Sequence, residues 1–440
     1  MGENMLVFLY FILILVIGGI SYQKINGHKD FFIAGKNGNS LEIAGSLLAT
    51  ILGSSAILGS VDSAYEIGWA GSWLLLTAAL GLMLLYPFLK YIAKFQNYNL
   101  SELLGDIYGI EVQILASFVI PIAWLGVVSS QIIGAAKIVM ILSSINYIEA
   151  VILSGGVFII YTFLGGQLSI IKTDFFQLLF ILVGVLGTFF YIGENIKDIE
   201  GLGIVNEKFN YLDVMVLILT YSTTCLVGPD IYSRLFCAKD IIVMKKALII
   251  TVAILVPMAF ILSGIGIYGR EVLNETHTGL KSVLLLIAER KLNRITSTFL
   301  YFGLLSAVIS SADTTLLTAS SLFTQCFFKN LKNERSVLVT RYMIIFLGII
   351  SIGIALYFKS ILGSLLLAIA IYSGAFIVPA ILGILGFRSR KEVVITAIII
   401  GGMLAFIGKI IGGDKGNYIL IFSFILNFGI LLIGKKITTH

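Results

Sequence analysis

The sequence predicts an all-α membrane protein with about thirteen transmembrane helices. Three observations carry that prediction. The 440 residues are 58% hydrophobic and only 12% charged, with a mean hydropathy of +1.02. An ordinary soluble domain is about 45–50% apolar and about 25% charged. Apolar runs of roughly 20 residues recur from end to end, each long enough to cross about 30 Å of hydrocarbon. No stretch is long and polar enough to make a separate soluble domain.

In order, the expected spans are 4–22, 40–60, 72–93, 112–141, 146–165, 173–194, 213–234, 246–268, 296–322, 336–357, 361–385, 393–411 and 416–434. The first run, Met5 to Ile20, lacks a basic lead and a small-residue cleavage site, so it reads as a retained helix rather than a signal peptide. The second run is interrupted by Leu52-Gly53-Ser54-Ser55-Ala56. The seventh is interrupted by Thr220-Tyr221-Ser222-Thr223-Thr224 and then Gly228-Pro229. These two spans lie five apart, each opening one of two five-span halves. Breaks at corresponding positions of two halves point to a transporter site, because unwound backbone leaves N–H and C=O groups for an ion or solute. The alternative is that Gly and Ser only ease helix packing. The segment Arg270 to Arg294 carries Leu280, Val283, Leu284 and Ile287 at helical spacing and reads as an external amphipathic helix.

With the N-terminus outside and the C-terminus cytoplasmic, cytoplasmic loops hold the larger share of the 30 Lys and Arg residues. Lys24, Lys29, Lys36, Lys239, Lys332 and Arg390 are among them, as the positive-inside tendency requires.

Composition also excludes functions. Cys225, Cys237 and Cys326 offer neither a disulfide framework nor a CxxC pair. His28, His277 and His440 lie in loops or at the terminus, which argues against a buried heme or zinc centre. The net charge of +6 is spread over short loops without a basic stripe, so nucleic acid is not an expected partner. No nucleophile–His pair, metal-ligand cluster or phosphate loop suggests an enzyme.

Ser310-Ser311 is the sharpest signal. It lies in Leu304-Leu305-Ser306-Ala307-Val308-Ile309-Ser310-Ser311-Ala312-Asp313-Thr314-Thr315, inside an apolar span. Polar groups at that depth are expensive and line pathways or sites. Hydroxyl, carboxylate and carbonyl oxygens are hard ligands suited to a small alkali cation. Ala307, Ser310 and Ser311 share one helix face. The structural alternative is that both serines bond back to carbonyls one turn earlier.

Several segments together resemble the sodium/solute symporter family, which includes sodium/proline and sodium/galactose cotransporters. They are Lys29-Asp30-Phe31-Phe32-Ile33-Ala34-Gly35-Lys36, Asn97-Tyr98-Asn99-Leu100-Ser101-Glu102-Leu103-Leu104, and Tyr161-Thr162-Phe163-Leu164-Gly165-Gly166 followed by Lys172-Thr173-Asp174-Phe175-Phe176-Gln177. Asp230-Ile231-Tyr232-Ser233-Arg234-Leu235-Phe236-Cys237-Ala238-Lys239 and Ser310-Ser311-Ala312-Asp313-Thr314 complete the set. The resemblance implies the leucine-transporter type of fold, with ten core helices as two inverted five-helix repeats. It divides the chain into an extra helix and loop (1–39), a first repeat (40–195), a second repeat with its external loop (196–385) and two C-terminal helices (386–440).

The resemblance also implies a sodium site. Its ligands would be the carbonyls of Ala49 and Leu52 in the broken helix, the carbonyl of Ala307 and the hydroxyls of Ser310 and Ser311. Asp174, Asp313 and Thr314 form a candidate second cation site. Relatives often carry Ser where this chain has Asp313, and two unpaired carboxylates need a cation or proton between them. Asp174, expected to open its helix, either binds that cation or caps the helix. The implied solute pocket takes in Ser54, Ser55, Ala56, Leu74, Leu75, Gln131, Tyr221, Thr224 and Cys225. Leucines stand where sugar-transporting relatives carry polar groups, and Thr224 stands at the galactose branch's tyrosine gate. Both departures disfavour a sugar and favour a small amino acid such as proline, or a monocarboxylate.

The expected function is therefore a sodium-coupled symporter of the plasma or inner membrane. Its expected partners are a small solute and membrane lipid, with no obligatory protein partner. Two alternatives stand beside it: a proton-coupled carrier using Asp174 or Asp313, and a non-transporting sensor. No soluble extension after Lys435-Lys436 supports the latter.

Overall fold

The computed structural model describes residues 10–13, 15–17, 19–20, 23, 25–93, 99–143, 145–193, 203–273, 282–328 and 330–434. The expected first span, residues 94–98 with Asn97 and Tyr98, Lys281, and Lys435-Lys436 fall wholly or partly outside these residues.

The described chain is helical almost throughout. A short helix α1 (His28–Ile33) leads into α2 (Ser40–Ile51) and α3 (Ser54–Ile67). Then come α4 (Trp73–Ile92), α5 (Leu100–Tyr108), α6 (Ile110–Ser143) and α7 (Tyr147–Ile192). The second half begins with α8 (Tyr211–Leu217), a π turn (Ile218–Ser222), α9 (Thr223–Val227) and α10 (Pro229–Leu235). It continues with α11 (Ile241–Val272), α12 (Val283–Arg290), α13 (Arg294–Thr324), α14 (Glu334–Tyr357), α15 (Ile361–Tyr372) and α16 (Val378–Ile384). Helices α17 (Lys391–Ile411) and α18 (Gly413–Ile433) close the chain.

The helix starts are written in asparagine. Asn39, Asn146 and Asn210 each make a reciprocal box with an acidic residue three positions on, while Asn99, Asn293 and Asn333 cap with the side chain alone. Each cap satisfies N–H groups that a helix start otherwise leaves orphaned.

Among the described residues, ten helices are long and apolar enough to cross a membrane. The sequence count of about thirteen differs for physical reasons. Helix α2 has 12 residues and is too short to span by itself. The expected spans 146–165 and 173–194 both lie in the 46 residues of α7, and a kink at one residue replaces the loop expected at 166–172. At about 1.5 Å per residue, such a helix would measure about 69 Å, roughly twice the hydrocarbon thickness. Gly166 breaks it, at φ 58° and ψ −176°. Phe31 of α1 packs where a Cβ on Gly166 would sit, so only glycine suits this corner.

Helices α13, α7 and α6 pack together at the centre of the bundle, and α13 is buried along most of its length. Its residues Leu304 to Leu317 are all buried, hydroxyls and carboxylate included. Helix α12 is the amphipathic helix expected from sequence. It is a packed element and not merely a surface one, because Val283, Leu284 and Ile287 are fully buried. Asp62 of α3 holds its start, accepting from the Ser282 hydroxyl at 2.7 Å and the Val283 N–H at 2.8 Å.

Candidate ion and solute sites

The first expected break is present. α2 ends at Ile51, Leu52 has φ −80° and ψ 37°, Gly53 is extended, and α3 restarts at Ser54. Glycine is required by proximity here, since a Cβ on Gly53 would collide with the Ser311 hydroxyl.

The serine pair of α13 faces this break. Ser310 Oγ donates to the Ala49 carbonyl at 2.8 Å and also lies 3.1 Å from the Ala307 carbonyl on its own helix. Ser311 Oγ donates to the Thr50 carbonyl at 2.7 Å and is 3.5 Å from that of Ala49. Ala49, Ala307 and Ser310 are fully buried and Ser311 nearly so. The back-bonding alternative therefore holds only in part, through Ser310, and the main bonds cross between helices. Leu52 is adjacent, with its N–H on the Leu48 carbonyl at 2.8 Å. Hydroxyl and carbonyl oxygens with few charges nearby suit a hard monovalent cation.

Asp174, Asp313 and Thr314 also come together, with two corrections to the sequence reading. Asp174 does not open a helix. It lies eight residues past the Gly166 break, inside α7, so the capping role is ruled out. Nor is Asp174 unpaired, because Arg234 of α10 is buried beside it. Arg234 Nη2 is 3.4 Å from Asp174 Oδ2 and also bonds to the hydroxyls of Thr314 and Thr50. Its Nε donates to the Ser46 hydroxyl at 2.8 Å and the Ser46 carbonyl at 3.0 Å, and Ser46 in turn donates to Asp174. Thr314 Oγ1 donates to Asp313 Oδ1 at 3.3 Å. One oxygen on each carboxylate, Asp174 Oδ1 and Asp313 Oδ2, is buried without a hydrogen bond.

Arg234 lies in the Asp230–Lys239 motif, which by itself assigns it no role. The available signal was its charge at the end of a predicted span, where an ionisable group is functional by default.

The solute residues fall into two groups. On one side, Gln131 of α6 caps the restart of the broken helix. Its Oε1 accepts from Ser54 N at 3.1 Å and Ser54 Oγ at 2.7 Å, and its Nε2 donates to Ser55 Oγ at 3.1 Å. Ala56 is buried beside them. On the other side, Tyr221, Thr224 and Cys225 line the π turn and α9, packed against α4. Thr224 spends its hydroxyl on the Thr220 carbonyl at 2.7 Å, and Leu75 is fully buried. No group of three or more His, Cys, Asp or Glu side chains among the described residues could hold a multivalent metal.

Two helices broken in mid-course, with buried oxygens at the first break, are the features expected of a multi-pass membrane transporter. The sequence profile of the sodium:solute symporter family matches residues 31–401, and the chain belongs to that family. It is accordingly a transporter and not an enzyme. The sodium/proline symporter of Staphylococcus aureus (strain JH9) is 21% identical over 388 residues, covering 79% of this chain and 73% of that protein. Among solved structures, a Na+-coupled sialic acid symporter in a substrate-bound outward-open state aligns with a TM-score of 0.81 at 18% identity, covering 99% of both chains. A nucleobase-cation-symport-1 family transporter in a closed conformation aligns at 0.64 and 12% identity, covering 92% of this chain and 94% of that one. The fold is of the leucine-transporter type.

Proposed function

We propose that the chain carries sodium inward down its gradient and uses it to take up a small organic solute by alternating access. The solute is an amino acid such as proline, or a monocarboxylate, in preference to a sugar. The membrane is the cell membrane, crossed thirteen times, with the N-terminus outside and the C-terminus cytoplasmic. Residues 40–195 and 196–385 form the two inverted repeats, flanked by 1–39 and 386–440.

The observation that carries this reading is the meeting of the Ser310 and Ser311 hydroxyls with the Ala49 and Thr50 carbonyls at a helix break. A sodium ion held by Ala49, Leu52, Ala307, Ser310 and Ser311 would replace hydroxyl–carbonyl bonds with ion–oxygen contacts. It would thereby tie the broken helix to α13. That linkage couples the ion to solute binding, because Ser54 and Ser55 begin the other half of the same break. One charge moving through the potential releases about 2.3 kcal/mol per 100 mV. Tenfold accumulation costs about 1.4 kcal/mol, so one sodium suffices for more than that.

Asp174, Asp313 and Thr314 form the second cation site of this proposal. With Arg234 counted, the two carboxylates carry one net negative formal charge, which leaves room for one monovalent cation. Arg234 Nη2 holds the Asp174 side, so the cation belongs nearer Asp313 Oδ2.

The test is uptake of radiolabelled amino acids, monocarboxylates and sugars by proteoliposomes, with and without an inward sodium gradient. Uptake that ignores the gradient for every solute would refute the proposal.

A further inference from the structure

Tyr10 lies in a stretch of helix, residues 10–13, that precedes α1 in the chain. Its side chain is buried, and its hydroxyl shares a 2.7 Å hydrogen bond with the hydroxyl of Ser306, 296 residues away on α13. Phe302, one turn earlier on α13, packs against the Tyr10 ring with centroids 5.9 Å apart. Ser306 is fully buried. A serine inside a membrane helix ordinarily bonds back to a carbonyl one turn earlier. Ser306 bonds to another helix, as Ser310 and Ser311 do.

Ser306 stands immediately before Ala307 and one turn before Ser310, so it shares a helix face with Ser310. α2 holds that face at Ser310 and Ser311, and Arg234 bonds to Thr314 a turn further on. Tyr10 grips the turn before them. Apolar contact is non-directional, whereas a hydrogen bond weakens steeply as its angle closes. A hydroxyl bond at this turn therefore fixes the rotation of α13, and with it the aim of the Ala307 carbonyl and the Ser310 hydroxyl. Gln177 of α7 faces the same Tyr10 hydroxyl. It is only 3% exposed, yet neither its Nε2 nor its Oε1 completes a hydrogen bond. A buried amide without a partner is costly, so Gln177 competes with Ser306 for the hydroxyl between them.

We infer that Tyr10 is a positioning residue for the sodium site at Ala49, Ala307, Ser310 and Ser311. It holds α13 in the ion-binding rotation through Ser306, and Gln177 is the rival partner that releases it. This role rests on the sodium reading of that site. It makes the stretch before α1 part of the ion machinery, although no residue of that stretch is a proposed ligand.

The experiment is equilibrium binding of radioactive sodium to the purified full chain in detergent, with thermal unfolding in the absence of sodium as the control for folding. Tyr10→Phe keeps the ring and removes the hydroxyl. It should raise the sodium concentration for half-saturation about threefold to tenfold and leave the amount bound at saturation unchanged. Ser306→Ala should do the same, and the double variant should be no weaker than either single one, because both changes remove one bond. Gln177→Leu should act in the opposite direction and tighten sodium binding about twofold or more, since it removes the rival partner. A merely structural contact would weaken binding in all three single variants, in step with their melting temperatures. Unchanged half-saturation in Tyr10→Phe, additive losses in the double variant, or no tightening in a folded Gln177→Leu would each overturn the inference. A wild-type chain that binds no sodium would overturn the sodium reading itself, so the two failures are distinguishable.

Discussion

Under the proposed scheme, the Ser311 hydroxyl matters more to coupling than to folding. It spans two helices, and alanine in its place removes a proposed sodium ligand while leaving the apolar packing. Hydrogen bonds to charged groups are worth roughly 1.5–3 kcal/mol, so Ser311→Ala should raise the sodium concentration for half-maximal uptake by about tenfold or more. A sodium response equal to wild type, in protein of normal membrane yield, would contradict the assignment. Arg234 behaves differently. It is fully buried and bonded to Ser46, Thr50, Asp174 and Thr314, so Arg234→Gln strands a buried carboxylate. Breaking one side of such a pair costs about 3–5 kcal/mol. The variant should melt earlier, and adding Asp174→Asn should recover part of the loss. Thermal unfolding in detergent measures both; no recovery in the double variant would mean that the pair does not act as a unit. Asp313→Asn should leave the melting point nearly unchanged but lower the sodium-to-solute flux ratio. An unchanged ratio across a pH series would remove the second cation from the scheme.

At the scale of elements, the breaks are where packing and function meet. The Leu52–Gly53 break is held open from three sides, by Ser311 of α13, by Gln131 of α6 and by the restart of α3. Gly53→Ala forces a Cβ into the Ser311 hydroxyl and the Gln131 amide. Solute uptake should fall about tenfold or more, because the ion and solute groups share that backbone. Uptake near the wild-type rate would show that the break has room to spare. Helix α12 depends on Asp62, whose carboxylate takes its first N–H groups. Removing a cap costs about 0.5–2 kcal/mol, so Asp62→Ala should speed hydrogen exchange in Val283–Arg290 ahead of the rest of the chain. The C-terminal pair is built otherwise. α17 and α18 meet through Gly408 against Gly416, and Asn427 reaches across to the Gly374 carbonyl at 2.8 Å. Small residues and one amide thus replace a hydrophobic drive that does not exist between helices in lipid.

Across the whole molecule, orientation follows from charge. In the proposed orientation, the Lys and Arg bias of the loops puts Lys332 and Arg390 on the cytoplasmic side. Single cysteines at these positions, on a cysteine-free background, should react with an impermeant reagent only from the inside. Reaction from outside at either position would invert the topology. The N-terminal and C-terminal halves are stitched together near the expected cytoplasmic side. Gly38 before α2 and Ala238 after α10 form a parallel bridge, with Gly38 N on the Cys237 carbonyl at 3.0 Å and Lys239 N on the Gly38 carbonyl at 3.1 Å. Burial pushes the Cys237 thiol up from its ordinary pKa, so it stays protonated beside this bridge.

The sequence by itself determined the membrane setting, the family, both helix breaks and the serine pair. Each is a local departure from an apolar background: a glycine or hydroxyl inside a 20-residue apolar run has few other readings at that depth. Tertiary structure decided the rest. Asp174 and Arg234 stand 60 residues apart, and Gln131 and Ser54 stand 77 apart; nothing local says that either pair will meet. The loop expected at 166–172 became helix because a single glycine can turn the chain when Phe31 packs into the corner. Which carboxylate is paired, which donors stay idle and which helix caps which are consequences of helix packing, and helix packing depends on side chains far apart in the chain.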